Sequence, residues 1–251
     1  MYIIFIRTSP VERLDLIATP VMVQGEKLVK HFKTIDVPVK RYYVLDNSMG
    51  LDPSVEEAID YICDNKPDHI EEIVVVSNNQ NSGYPGAVNQ IIRDNTDCDH
   101  WIVTGFDWWV AKDQYQKLLT INFKDGVFLG VGIDDMCGFI FTSSLIEKVG
   151  LLDENFFPGY YEDNDYKRRI QLANADVLHC PLLNTHDRSS TLNSSIKFKK
   201  KNQHTFSKNC EYYIDKWGGT PTQEIYETPF NKGLPINYWA FNPRRREEQR
   251  W

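Results

Sequence analysis

The first half of the chain alternates short β-rich runs with helix-compatible segments, and this alternation constrains the fold more than any other feature. The runs are "YIIFIR" (2–7), "KRYYVLD" (40–46), "IEEIVVVSN" (70–78), "DHWIVTGFD" (99–107) and "GVFLGVGI" (126–133). Between them lie an amphipathic stretch over about 20–35 with Val23, Leu28, Val29 and Phe32 on one face, then "DPSVEEAIDYICDN", "PGAVNQIIRD" and "KDQYQKLLTI". Asp52 and Pro53 suit a helix start, as does Pro85. Strands alternating with helices predict an α/β fold: a mostly parallel sheet flanked by helices on both faces. Such sheets bind ligands beyond the carboxyl ends of their strands. The polar residues that close the strands are therefore candidates: Thr8, Asp46, Asn78 to Asn81, and Asp107.

After residue 135 the pattern changes. "MCGFIFTSSLIEKVGLLDENFF" reads as strand, short helix and turn, and a helix follows over about 162–174. "ADVLHCP" reads as a short strand, and the basic stretch from Ser194 as a helix stopped by Gly218-Gly219. The last thirty residues read as an extended arm or tail. The expected division is a domain over 1–220 and an arm over 221–251.

Composition narrows the class. A chain of 251 residues can bury a substantial core. A net charge of −7 argues against a protein that coats nucleic acid. The five cysteines are scattered, with no C-x-x-C pair, which predicts reduced thiols in a cytoplasmic chain. No apolar run reaches the ~18–20 residues of a membrane span, and the N-terminus reads as a first strand. The expected location is cytoplasmic or peripheral to a membrane.

Several stretches have both a structural and a chemical reading. Asp46 in "VLDNS" makes a good turn, or accepts a hydrogen bond from a base ring. "NNQNSGYPGAVNQ" is a polar loop entering a helix, where glycine lets a ligand approach. Asp107 caps a strand end or holds a hard divalent cation. The adjacent Asp134 and Asp135 are explained by a loop. Within "EDND" (162–165), the acids gain from the helix macrodipole, while their crowding raises pKa values usefully for a base. His186 in "NTHDRSS" reads first as a loop histidine.

Taken in order, "YYVLDNS", "NSGYPGAVN", "HWIVTGFDWWV" and "GFIFTSSLIEKVGLLDENFFPGYYEDNDYKRRI" resemble the family 2 glycosyltransferases of GT-A fold, over roughly residues 40–180. "YYIDKWGGTPTQEIYETPFN" is similar to the tail of many such enzymes. The resemblance implies an inverting transferase that uses a nucleotide-diphosphate sugar, a UDP-sugar by preference, with Mn²⁺ or Mg²⁺. It places Thr8, Asp46, Asn81, Gly83 and Asp107 at the donor nucleotide, and Asp163 as catalytic base with Glu162 beside it. Asp107 and His186, which lies 23 residues after Asp163, hold the metal. Trp108, Trp109, Tyr160 and Tyr161 read either as a stacking wall for sugars or as core. Asp165, Lys167, Arg168 and Arg169 are expected on the helix surface or at the diphosphate.

The sequence departs from the family pattern in two places. The metal motif keeps one acid, as Gly105-Phe106-Asp107-Trp108-Trp109, and "TSPVERLDLIATP" follows the first expected strand as a long connection. The acceptor is left open among a glycan, a lipid-linked sugar, a protein and a modified nucleic-acid base. Basic "KFKKKNQH" (197–204) and "RRR" (244–246) read as solvated, or as contacts to phosphate or an anionic surface. A nucleotidyltransferase is the first rival, opposed by the glycine-free "RTSPVERLD". A non-catalytic sugar-nucleotide or glycan-binding module is the second.

Overall fold

The computed structural model describes residues 11–131, 136–187, 191 and 195–242, except the side chains of 197, 198, 201 and 202. The strand expected at 2–7, Thr8, Asp134, Asp135 and the arginines 244–246 lie outside the described residues.

The order is β1 (Leu14–Val21), α1 (Gly25–Phe32), β2 (Val39–Asp46), α2 (Pro53–Asp64), β3 (Ile70–Ser77), α3 (Gly83–Asp94) and β4 (His100–Thr104). Then come β5 (Trp108–Val110), a 3-10 turn (Tyr115–Leu119), β6 (Gly126–Phe128), β7 (Gly138–Thr142) and α4 (Ser143–Val149). The chain continues with α5 (Glu162–Leu172), β8 (Val177–His179), β9 (Asn184–His186) and α6 (Ile196–Trp217). The main sheet has seven strands in the order β3-β2-β1-β4-β7-β6-β8. β1 pairs in parallel with β2 and β4, β2 with β3, and β6 with β8, whereas β7 runs antiparallel to β4 and β6. β5 and β9 form a separate antiparallel pair.

Period-2 alternation divides the core. Ile17, Val21, Tyr42 and Val44 face α1 and α2, with Leu28, Phe32, Val55 and Ile62. Leu16, Ala18, Tyr43 and Leu45 face α3, α4 and α5, with Val88, Ile91, Leu145 and Tyr166. α2 starts as expected: Asp52 accepts from the Ser54 N–H at 3.0 Å, with Pro53 in the first turn. Below the rim, His31 bonds the Tyr42 hydroxyl at 3.0 Å and Thr104 Oγ1 at 2.7 Å. Burial pushes the imidazole of His31 down to about 3, so it is neutral there.

Two expectations are corrected. "LDLIATPV", read as part of a long connection, is β1, paired on both sides within the sheet. Asp15 in this strand bonds His100 at its base, and this polar interruption hid an otherwise apolar run. "KDQYQKLLTI" yields a 3-10 turn of five residues, because Asp113 takes a left-handed φ of 64° just before it. The arm read from residue 221 is laid back on the body as far as Asn242. Its Tyr226 carbonyl accepts from Arg168 at 2.9 Å, and its Ala240 carbonyl accepts from Asn155 at 3.0 Å.

α1 and α2 cross closely at Gly25, where a Cβ would lie 1.8 Å from the Ser54 carbonyl oxygen. Gly25→Ala is expected to destabilise the fold by about 3 kcal/mol through overpacking against rigid backbone, read as a lower urea midpoint with unchanged slope.

Candidate active site

The parallel strands deliver their carboxyl ends to one rim. Asp46 closes β2, in register with Val21 of β1 and Ser77 of β3. One of its carboxylate oxygens accepts the Ser48 N–H at 2.7 Å, so the turn reading of this residue is realised. Asn81 spans the rim: its Oδ1 accepts the Gly83 N–H at 2.8 Å, and its N–H groups meet the sulfurs of Met49 and Met22. Beside it, Asn78 bonds Asn47 at 2.9 Å and Gln90 at 3.0 Å. Asn78 to Ser82 and Gln90 line a hollow of about 280 Å³.

Gly83 has a structural use. Its φ is +70°, and a Cβ there would lie 2.8 Å from the Phe157 ring and 2.9 Å from the Pro158 carbonyl oxygen. The next N–H, of Tyr84, donates to that same carbonyl at 2.6 Å. The start of α3 therefore grips the turn that leads into α5. The Tyr84 hydroxyl donates to the Met136 carbonyl at 3.1 Å, and the neighbouring Cys137 carbonyl accepts the Gly105 N–H at 2.7 Å. A chain of contacts thus joins the α5 entrance to the turn carrying Asp107.

Asp107 follows β4 in a tight turn, and Gly105 leaves room for its carboxylate: a Cβ there would lie 2.9 Å from Asp107 Oδ1. The pairing of Trp108 with His186 brings the imidazole Nε2 to 3.7 Å from Asp107 Oδ1. The Asp107 carbonyl also accepts the Asp187 N–H at 3.0 Å. A carboxylate oxygen and an imidazole nitrogen at this spacing fit one Mn²⁺-type cation. No group of three or more metal-ligating side chains occurs among the described residues, so further ligands would come from phosphate oxygens and water. α1 adds cations that the sequence reading passed over: Lys27 pairs with Asp187 at 2.6 Å, and the Lys30 ammonium lies 4.2 Å from the centre of the Trp109 ring.

The wall is corrected at Trp108. Its side chain is 1% exposed and packs under Gly138 in the core, because β5 turns it inward. Trp109 is half-buried, and Lys30 covers one face of its ring. Tyr160 and Tyr161 remain half-exposed, immediately before α5.

α5 opens with Glu162 and Asp163 in its first turn, where the macrodipole favours negative charge. The two carboxyls have different surroundings. Glu162 is buried, with Oε2 lacking a hydrogen-bond partner, and burial followed by the adjacent Asp163 charge pushes its carboxyl up to about 8. Asp163 is about one-third exposed and faces Lys167 at 3.5 Å.

The next turn overturns a second expectation. Asp165 and Arg169, expected at the surface, are fully buried. Asp165 Oδ2 accepts from Arg169 at 2.9 Å, and its Oδ1 accepts from Lys216 at 2.7 Å and from the Trp217 indole at 2.9 Å. Lys216 also reaches Asp153 at 2.8 Å. Arg169 spends further donors on the Val149 and Leu151 carbonyls, each at 2.8 Å. Burial pushes the Asp165 carboxyl up, but the charges of Arg169 and Lys216 outweigh this and hold it below the usual carboxylate range. The one hint in the sequence was "DKWGG" in the tail.

No family model matches the chain. A curated "galactofuranosyl glycosyltransferase" of Leishmania donovani is 28% identical over 145 residues, covering 48% of this chain and 33% of its own length. The chain thus spans about a third of that relative's length. Among solved structures, the mannosyltransferase PcManGT of Pyrobaculum calidifontis, in complex with GDP-Man and Mn²⁺, superposes with a TM-score of 0.59 at 14% identity. That match covers 83% of this chain and 67% of the other. GalNAc-T7 with UDP, GalNAc and Mn²⁺ superposes with a TM-score of 0.55 at 11% identity, over 97% of this chain and 55% of its own. TarS of S. aureus in complex with UDP-GlcNAc gives 0.53 at 10% identity, over 84% and 74%.

The chain has a GT-A-like fold. Its mostly parallel sheet, with helices on both faces, is the architecture of these glycosyltransferases. Among the described residues no helix is long and apolar enough to cross a membrane.

Two predictions follow from the α5 surroundings. Lys216→Met leaves two buried aspartates with one cation between them, and is expected to cost about 3–5 kcal/mol of stability in urea unfolding. Glu162 ionises near 4.5 in the unfolded chain and near 8 in the fold. Between those values the native state holds a proton that the unfolded state has released, so this group's contribution falls as pH rises. Glu162→Gln should remove that loss. Its melting temperature relative to wild type is expected to climb from pH 5 to pH 8.5, and a flat difference would refute the assignment.

Proposed function

We propose that this chain is an inverting glycosyltransferase of the family 2 type. It moves a sugar from a nucleotide-diphosphate donor, a UDP-sugar by preference, to an acceptor hydroxyl. Residues 1–220 form the transferase domain and 221–251 its arm. The observation that carries this reading is the Asp107–His186 pair at 3.7 Å on the sheet rim, with the Glu162–Asp163 turn gripped onto the same rim through α3. The solved structures of similar fold bind GDP-Man, UDP-GlcNAc or UDP, and two of them hold Mn²⁺, which supports a sugar nucleotide and a divalent cation here.

Asp46 and Asn81 would meet the nucleotide at the strand ends, and Asp107 and His186 would hold the metal. When bound, the metal offsets negative charge on the leaving diphosphate. Lys27 and Lys30, on the helix facing the β5–β9 pair, add positive field for the same group. Asp163 takes the proton from the acceptor hydroxyl as its oxygen attacks the anomeric carbon. The carbon–oxygen bond to the diphosphate breaks in the same step, so one displacement inverts the centre. Glu162 carries a proton at neutral pH, so it does not add a second negative charge beside the base.

The test is turnover of UDP-galactose, UDP-N-acetylglucosamine and GDP-mannose with and without Mn²⁺. At least one donor is expected to be consumed in a metal-dependent way. Asp163→Asn should lower that rate by ~10²–10⁴-fold while the donor still raises the melting temperature. His186→Ala should raise the Mn²⁺ concentration giving half-maximal rate by ~10-fold or more. Donor binding without turnover in wild type would instead favour a sugar-nucleotide-binding module.

A further inference from the structure

Tyr160 and Tyr161 both lie in the left-handed backbone region, with φ of 74° and 71°. Two such residues in succession cost ~1–3 kcal/mol each and persist only where their surroundings fix them. The fixing group is Asn209, fully buried on α6. Its Nδ2 reaches the carbonyls of Gly159 at 2.8 Å, Tyr160 at 3.2 Å and Phe157 at 3.3 Å. The turn therefore presents two half-exposed phenol rings in a set orientation, directly before Glu162 and Asp163.

One helical turn before Asn209 stands Phe206, which is 43% exposed. Its ring lies 5.5 Å from that of Tyr160 and 5.1 Å from that of Tyr161, tilted or edge-on to each. The three rings make one continuous aromatic surface, part of it open to solvent, beside the proposed base. Trp108 is buried and Trp109 is capped by Lys30, so the aromatic surface next to these carboxyls is built from α6 rather than from β5.

We propose that Phe206, Tyr160 and Tyr161 form the acceptor platform and that the acceptor is a carbohydrate ring. This deepens the transferase reading and rests on it. A sugar has an apolar C–H face that packs on aromatic rings and a hydroxyl edge that stays hydrated, which suits the exposed Phe206 ring and the neighbouring Tyr160, backed by Tyr161, which packs between Phe206 and the buried Tyr213 at 5.6 Å. With a net charge of −7, the chain is poorly suited to a nucleic-acid acceptor. Phe206 sets acceptor affinity, and Asn209 is a positioning residue that holds the turn.

The experiment uses methyl glycosides of mannose, galactose, glucose and N-acetylglucosamine as probe acceptors, with the three donors above. At least one glycoside is expected to accept sugar. Phe206→Ala should raise its KM by about tenfold with kcat changed less than about twofold, and Phe206→Trp should restore KM. An unchanged KM in Phe206→Ala overturns the platform. So does donor turnover accompanied by neither transfer to any glycoside nor saturation-transfer NMR signal from one, and this outcome leaves the transferase reading standing. If wild type turns over no donor, the transferase reading fails by itself. The same NMR measurement then decides the platform: glycoside signals lost in Phe206→Ala support it, and no signal in wild type overturns it.

Discussion

Four fully buried charges hold the second half of this molecule in register: Asp153, Asp165, Arg169 and Lys216. Taking each from water costs several kcal/mol, so the arrangement survives only because the charges balance and their hydrogen bonds are largely met. Lys216 bridges both acids, and the Trp217 indole takes a further place on Asp165. Asp165 is two residues beyond Asp163 on the same helix, so whatever fixes one carboxylate orients the other. The chain reverses at Gly218 and Gly219, where a Cβ would lie 2.7 Å from Ile225 and 2.1 Å from the Gln223 carbonyl, respectively. That reversal brings the arm back across α5. Replacing the cluster with apolar side chains of equal volume could keep stability, but it would give up the directional bonds that set the angle of α5.

The sequence was most legible where local chemistry and burial agree. β2, β3, β4 and α2 follow directly from their apolar runs and from Asp52-Pro53, and Asp46, which closes β2, and Asp107, in the turn after β4, lie on the rim that a parallel sheet requires. Legibility failed where long-range pairing decides. β1 carries Asp15 near its start, so its pattern reads as a broken run until His100 is brought beside it by β4. Trp108 reads as a sugar-facing ring until the β5–β9 pairing turns it into the core. Asp165 and Arg169 read as a solvated helix pair because their partners, Lys216 and Trp217, are about fifty residues away.

The two carboxyls at the start of α5 show how one local sequence supports two roles. Both share the macrodipole and the same turn, so helix position cannot separate them. Burial does: Glu162 faces inward and keeps its proton, while Asp163 faces outward beside Lys167. Two ionised neighbours at this place would repel each other, and the proton that Glu162 keeps removes that conflict.

The division of labour between the halves of the chain has the same physical origin. In the proposed function, donor recognition at the rim would rely on strand ends and tight turns, whose positions the sheet's hydrogen bonds already determine. The segment between α4 and α5, proposed to meet the acceptor, has no such template, because it belongs to no strand. It is instead held from outside, by Gly83 and Tyr84 of α3 on one side and by Asn209 and Lys216 of α6 on the other. A helix that supplies both the staple for the turn and an exposed ring beside it would couple acceptor affinity to the placement of the proposed base. On that proposal, changes along the Phe206–Asn209 stretch of α6 would alter which acceptor is used while the sheet and its rim stay intact.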